Sequence, residues 1–407
     1  PLCKRAENNE RGADEHHGDD GPLSVSDMRI QRPITDAWVA AAQTAGYRFN
    51  PDYNGAEQEG VGYFQLTSRN GRRCSAAVAY LNPVKTRDNL QIITHAHVER
   101  LMIEDRRAVG VVYTDKSGAS QVIKAHREII LSGGSINSPQ VLMHSGIGEP
   151  AQLAEHGIGT IQNLPGVGKN LQDHLDYIYS YHSKRADVVG LNPAGLMRLS
   201  KAALRWRKDG SGLFATPFAE GAGFLRTDPG LDRPDVQLHF VPAIVDNHLR
   251  TIHLKDGYSC HVCVLRPKSR GRVGLLDGNP KSAPMIDPAY LSNPDDLAVL
   301  KKGARIVDQI MEAEPLAPWR GKRLYAHDGS EKALEADIRA RADTIYHPVG
   351  TCKMGVDDMA VVDPACRVRG VAGLRVVDAS VMPRLVGGNT NGPTIMIAEK
   401  VATAMVS

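Results

Sequence analysis

One corner in the chain points to an α/β architecture, although alone it says no more than that. Glu128-Ile-Ile-Leu-Ser132 is an apolar run of strand length, Gly133-Gly134 follow at once, and Ser138-Pro-Gln-Val-Leu-Met143 has helical apolar spacing. A buried strand that turns into a helix through glycines belongs to α/β folds. There the glycines let backbone approach a ligand, and the first helical N–H groups stay available to it. A second such unit closes the chain: Leu374-Arg-Val-Val-Asp378 reads as a short buried strand, and 394–405 as an apolar helix opened by Pro393-Thr394. Ahead of the corner, 90–93, 97–103, 108–113 and 120–124 are short β-rich runs, the last two joined by the hairpin signal Asp115-Lys-Ser-Gly118. Earlier still, 35–45 has a helical pattern with Thr35 as N-cap.

From about 176 to 340 the pattern changes to longer apolar strands, 235–244, 258–266 and 271–276, and an amphipathic helix over 297–311. The turn Arg266-Pro-Lys-Ser-Arg-Gly271 is read as joining two of these strands, which predicts an antiparallel sheet. A chain of 407 residues is long for one core, so two lobes are expected. Segments 70–175 and 341–407 form the first, 176–340 the second, and the polar stretch 1–69 bridges them.

Composition removes whole classes of function. Hydrophobic residues at 42% and charged residues at 23% are those of a globular protein. With 49 basic against 46 acidic residues, no field of one sign is available to hold nucleic acid. No run approaches the roughly eighteen apolar residues that cross a bilayer, and Pro1-Leu2-Cys3-Lys4-Arg5 has no signal core behind it. A cytoplasmic chain is therefore expected, with peripheral contact to the inner membrane as a variant of that reading. Of six scattered cysteines, Cys260 and Cys263 form a C-x-x-C, but on a strand that spacing points them to opposite faces, and no metal is expected.

Three further segments accompany the corner: Leu164-Pro-Gly-Val-Gly-Lys-Asn-Leu-Gln-Asp-His174, Tyr346-His-Pro-Val-Gly-Thr-Cys352, and Gly387-Gly-Asn-Thr-Asn-Gly-Pro-Thr394. In this order they resemble the glucose–methanol–choline (GMC) oxidoreductases, in particular the choline dehydrogenase and aliphatic alcohol dehydrogenase branch, over essentially the whole chain. The resemblance implies a fold of class α/β (α+β): the remnant of a FAD-binding Rossmann-like domain plus a substrate domain with an antiparallel sheet flanked by helices. Nothing like G-x-G-x-x-G lies in residues 1–60, so the opening nucleotide-binding βαβ segment is expected to be missing. Poor FAD binding and an open groove follow from that expectation.

The resemblance also assigns roles. His347 matches the position facing the flavin, where it takes the proton of the substrate hydroxyl, and Asn391 matches the second polar group beside the reacting carbon. FAD contacts are implied at Val98, Ser132, Gly133, Asp378, Ala379, Pro393 and Thr394. Glu220 and His239 match substrate-lining positions, Glu220 as an attractor for a cationic alcohol such as choline. Glu220 reads equally well as a solvated loop acid, and His239 as a satisfied strand histidine. The implied reaction is oxidation of a primary alcohol to an aldehyde, with electrons passed to a quinone or similar carrier. Oxidase and hydroxynitrile-lyase members share the motifs, and a fragment unable to hold FAD is the non-catalytic alternative. Low aromatic content, 5%, favours aliphatic alcohols.

Overall fold

The computed structural model describes residues 2–406. In chain order the elements used below are helix α1 (Pro33–Thr44), strands β1 (Gly60–Tyr63), β2 (His97–Glu104), β3 (Arg107–Thr114), β4 (Ser120–Lys124) and β5 (Ile129–Leu131), and helix α2 (Gly134–His144). Strands β6 (Leu175–Ser183), β7 (Gly221–Leu225), β8 (Val236–Val241) and β9 (Gly257–Val264) follow, then α3 (Pro294–Glu312), β10 (Leu374–Val376) and α4 (Asn391–Val406). The chain divides into two compact units. The first takes in residues up to Val84, Leu175–Arg266 and Pro294–Ile345; the second takes in Lys85–His174, Pro267–Asn293 and the chain from Tyr346 onward.

The first unit is built on a seven-stranded sheet. Its order is Arg320–Arg323, β6, β9, β8, β7, β1, with Asp343–Thr344 also paired to β6. All the pairings are antiparallel. Strand alternation splits the central strands into two chemically distinct faces. Tyr177, Tyr258, Val262, Leu238 and Phe240 form an apolar face with no measurable exposure. Helix α3 packs on that face, and it comes close because Gly303 carries no side chain: a Cβ there would stand 2.8 Å from Val262. Trp38 of α1 stacks on Phe240 with ring centroids 5.3 Å apart. The opposite face bears Asp176, Ser180, Gln237, His239, Ser259 and His261, all buried and polar.

Several boundaries differ from the sequence reading. Residues 1–69 are part of the first unit rather than a connector, since α1 and β1 supply its core and an edge of its sheet. Helix α1 begins at Pro33, whose fixed φ suits the first helical turn, so Arg32 is the N-cap; Thr35 lies inside and fully buried. The turn at 266–271 does not join sheet neighbours. The strand after it, Gly271–Gly274, pairs with Lys169–Leu171 and Met285–Asp287 in the second unit. Residues 90–93 form no strand, and Ile92 and Ile93 are exposed.

In the second unit, β5 and β10 pair in parallel although some 240 residues separate them, in register from Leu374 opposite Ile129 to Val376 opposite Leu131. Helix α2 leaves the end of β5 as the glycines dictate, with Gly134 at a φ of 77° that glycine adopts without strain. Leu101, Leu142, Met143, Ile147, Val361, Val376 and Val381 make the core beneath it. Strands β2, β3 and β4 form a separate antiparallel meander. Among the described residues no helix is long and apolar enough to cross a membrane, and no group of three or more His, Cys, Asp or Glu is placed to hold a metal ion.

Candidate active site

His347 sits in a loop that two kinks bracket. Tyr346 takes a left-handed φ of 65°, costly for a residue with a side chain, and Gly350 follows at 96°. A Cβ at Gly350 would stand 2.5 Å from the Asn170 carbonyl oxygen, so only glycine fits. Pro348 confines the residue before it to extended backbone. Val349 then pairs with Gln172 through N–H···O bonds of 2.8 and 3.0 Å, which lays Gln172-Asp-His174 along the loop. The Asp173 carboxylate accepts the His347 backbone N–H at 2.8 Å and the Tyr290 hydroxyl at 2.6 Å. His347 is thereby held inside, 8% exposed.

The hydrogen bonds around His347 decide where its proton lies. His174 Nε2 lies 3.1 Å from the Val386 carbonyl oxygen, which only accepts, so that nitrogen carries the hydrogen. With both rings neutral, His174 Nδ1 then accepts from His347 Nδ1–H at 3.0 Å. This leaves His347 Nε2 as a lone pair, to which the Asn389 amide donates at 3.2 Å. The tautomer is assigned from these partners. Burial pushes the His347 imidazole down to about 4, so it is neutral near pH 7 and its Nε2 is a buried proton acceptor.

That depression has a consequence for stability. The folded pKa lies below the unfolded value of about 6.5, so the unfolded chain binds the proton first on acidification. The contribution is fully present above about pH 6.5, is lost as the pH falls towards 4, and amounts to about 3 kcal/mol. His347→Gln should flatten the dependence of the melting temperature on pH across this window. Unchanged slopes in the two proteins would contradict the buried neutral imidazole.

The remaining site residues divide sharply. Asn391 is exposed as the first residue of α4, and the contact to His347 comes instead from Asn389, two positions earlier. Ser132 and Gly133 are exposed at the end of β5, and Val98 on β2 is 36% exposed. Pro393 and Thr394 are half-buried in the first turn of α4, as is Ala379 after β10. Asp378 is buried, and its carboxylate is committed: it accepts from Gly134 N–H at 2.9 Å, Ser138 Oγ at 2.5 Å and Ser380 N–H at 2.8 Å, tying the end of β10 to the start of α2. His174, Asp173 and Asn389 were not singled out from sequence. Their signal was the company they keep, in the Gln-Asp-His and Gly-Asn-Thr-Asn segments already noted as motifs.

In the first unit, Glu220 has no exposure; it forms an ion pair with Arg32 and accepts from the Thr35 hydroxyl at 2.6 Å. It is thus neither a solvated loop acid nor an unanswered charge. Burial raises its carboxyl above the ordinary range, with Arg32 opposing that shift. His239 is 7% exposed and stacks on Phe64 with centroids 5.3 Å apart.

The strand–glycine–helix corner and the buried His347 lie within a mixed fold of helices and antiparallel sheet. Family models described as GMC oxidoreductase match residues 1–176 and 267–398. The chain belongs to the GMC oxidoreductases. It is 46% identical to an alcohol dehydrogenase [acceptor] of Pseudomonas putida, covering all of this chain and 74% of that one. It is 44% identical to the mitochondrial choline dehydrogenase of Homo sapiens, covering 99% and 68%. Among solved structures, pyridoxine 4-oxidase from Mesorbium loti superposes with a TM-score of 0.87 at 29% identity, over 99% of this chain and 76% of that one. The FAD-containing formate oxidase of Aspergillus oryzae does so at 0.90 and 25%, with the same coverage.

Proposed function

We propose that the chain oxidises a primary alcohol to an aldehyde, with FAD as cofactor and His347 as the group that takes the hydroxyl proton. The observation that carries this is the buried imidazole whose Nε2 lone pair is fixed by His174 on one side and Asn389 on the other. When bound, FAD supplies the hydride acceptor for the carbinol carbon. The carboxyl ends of parallel strands are where nucleotide cofactors lie in open α/β sheets. Ser132 and Gly133 after β5, the backbone of Asp378 and Ala379 after β10, and Pro393 and Thr394 at the start of α4 would hold it, with Val98 beside the adenine. The corner suits that use: Ser132 and Gly133 are exposed, and a Cβ on Gly133 would crowd Ser138 N at 3.1 Å.

His347 enters neutral; the alcohol displaces the Asn389 amide from Nε2, whose single lone pair then accepts the hydroxyl proton, while Nδ1–H stays on His174 and steadies the imidazolium formed. Asn391 offers an exposed amide to the alcohol oxygen. Asn389 aligns the acceptor nitrogen, so Asn389→Ala should lower kcat roughly tenfold with little change in KM, one hydrogen bond's worth of orientation. An equal loss confined to KM would assign Asn389 to substrate binding instead.

The relatives' names put alcohols and choline on the same footing, and Glu220 weighs against choline here because Arg32 already answers its charge. An uncharged aliphatic alcohol and a quinone-type acceptor are the reading favoured. The test is steady-state turnover of short primary alkanols and choline by the FAD-loaded chain, following dye reduction, oxygen uptake and aldehyde together. Aldehyde with dye reduction and little oxygen uptake is expected. Oxygen uptake matching aldehyde would make it an oxidase, and no aldehyde from any alcohol would overturn the proposal.

A further inference from the structure

The polar face of the first unit's sheet contains a histidine that the reaction above does not use. His261, on β9, is 8% exposed, and its Nδ1 lies 2.6 Å from Oδ2 of Asp176 on the neighbouring strand β6. Asp176 is 4% exposed. The other ends of this pair, His261 Nε2 and Asp176 Oδ1, are buried without a hydrogen-bond partner among the described residues. Directly across the sheet, His261 is in register with His239, so both side chains leave the same face.

The charge state of such a pair follows from its burial. Desolvation pushes the Asp176 carboxyl up, against the lowering effect of His261, and the nearby Asp343 carboxylate pushes it up further, while His248, paired with Asp343 at 3.0 Å, opposes that. A buried pair avoids net charge. It has two neutral forms, carboxylic acid with neutral imidazole or carboxylate with imidazolium, which differ only in the position of the proton within the 2.6 Å bond. In both forms Nε2 carries a hydrogen. The pair therefore presents a fixed, buried N–H donor with nothing to donate to, and such donors are rare unless a ligand or water completes them.

We propose that His261, held by Asp176, is a recognition residue that donates from Nε2 to an oxygen of a bound small molecule, a hydroxyl or carbonyl oxygen. The ligand class, alcohol or aldehyde, rests on the function proposed above; the donor itself does not. Asp176 is the positioning residue. Without its carboxylate the imidazole takes either tautomer, and the donor is no longer guaranteed.

The full FAD-loaded chain, labelled with nitrogen-15 in its histidines, tests this by NMR. The His261 signals are identified by their loss in His261→Gln, and the probes are propan-1-ol and propane-1-thiol, similar in shape but differing in acceptor strength. We expect a protonated Nε2 that shifts saturably with propan-1-ol and much less with the thiol. His261→Phe should weaken propan-1-ol binding on the order of tenfold, whereas His261→Gln, which keeps an N–H donor, should stay within about threefold of the parent. An unprotonated Nε2, an Nε2 signal that propan-1-ol does not move, or full affinity in a folded His261→Phe protein would overturn the proposal. The readout needs no turnover. A chain that oxidises no alcohol but still shows the shift would contradict the reaction and leave this donor standing.

Discussion

Replacing His347 by alanine should lower kcat/KM for a primary alcohol by roughly 10²–10⁴-fold, the span a positioned general base contributes, while leaving flavin in place. The reasoning lies in the proton inventory of the site. His347 Nε2 is the one position on this imidazole left as an acceptor once Nδ1–H is given to His174. The Asp173 carboxylate beside it is engaged by the His347 backbone N–H and by the Tyr290 hydroxyl. Dye reduction against alcohol concentration, with flavin absorption read on the same sample, separates loss of chemistry from loss of cofactor. A variant that keeps flavin and turns over within threefold of the parent would remove His347 from the reaction.

Glu220→Ala should cost about 3–5 kcal/mol of stability, the usual penalty when one partner of a buried ion pair is removed. Its carboxylate is wholly buried, and the Arg32 side chain is only 11% exposed, so the guanidinium cannot recover its lost partner from water. The hydroxyl of Thr35, also buried, loses its acceptor in the same stroke. Glu220→Gln, which keeps a hydrogen-bond acceptor but not the charge, should fall between the two. Urea unfolding followed through tryptophan fluorescence, to which buried Trp38 contributes, measures the difference. A loss below 1 kcal/mol would mean that Arg32 finds another anion, and would return Glu220 to the pool of groups available to a ligand.

What could be read from sequence was what is local. The strand–Gly–Gly–helix corner, the hairpin at Asp115–Gly118 and the alternation that buries Cys260 and Cys263 on opposite faces depend on neighbours a few residues apart, and the structure has all three. The parallel partnership of β5 with β10 depends on contacts across most of the chain; the sequence reading grouped 70–175 with 341–407 in one lobe but named no pairing between them. Where the sequence reading failed, a longer-range partner decided the outcome. The 266–271 turn looks like a hairpin until the strand after it is claimed by Lys169–Leu171.

The site was legible to the same degree. The motif around His347 drew attention to that residue, while the hydrogen bond at its Nε2 comes from Asn389, a residue not singled out from sequence, which the turn before α4 aims at the ring. Single polar residues on strands, such as His261 and Asp176, carry no sequence signal, since their meaning comes from a register between strands some 80 residues apart. Glu220 shows the same limit, since its partners Arg32 and Thr35 lie about 185 residues away in sequence.

Alcohol oxidation through a neutral, buried His347 is the proposed activity. Its most direct measurement is one anaerobic turnover: FAD-loaded protein is mixed with a short primary alkanol at pH 7, and the bleaching of the flavin is followed against the aldehyde formed. We predict one aldehyde per flavin bleached, at a rate that holds steady as the pH is lowered through 6.5 and falls only as it nears 4, where His347 takes up a proton. Flavin that stays oxidised in the presence of every primary alcohol, or a rate that halves near pH 6.5, would contradict it.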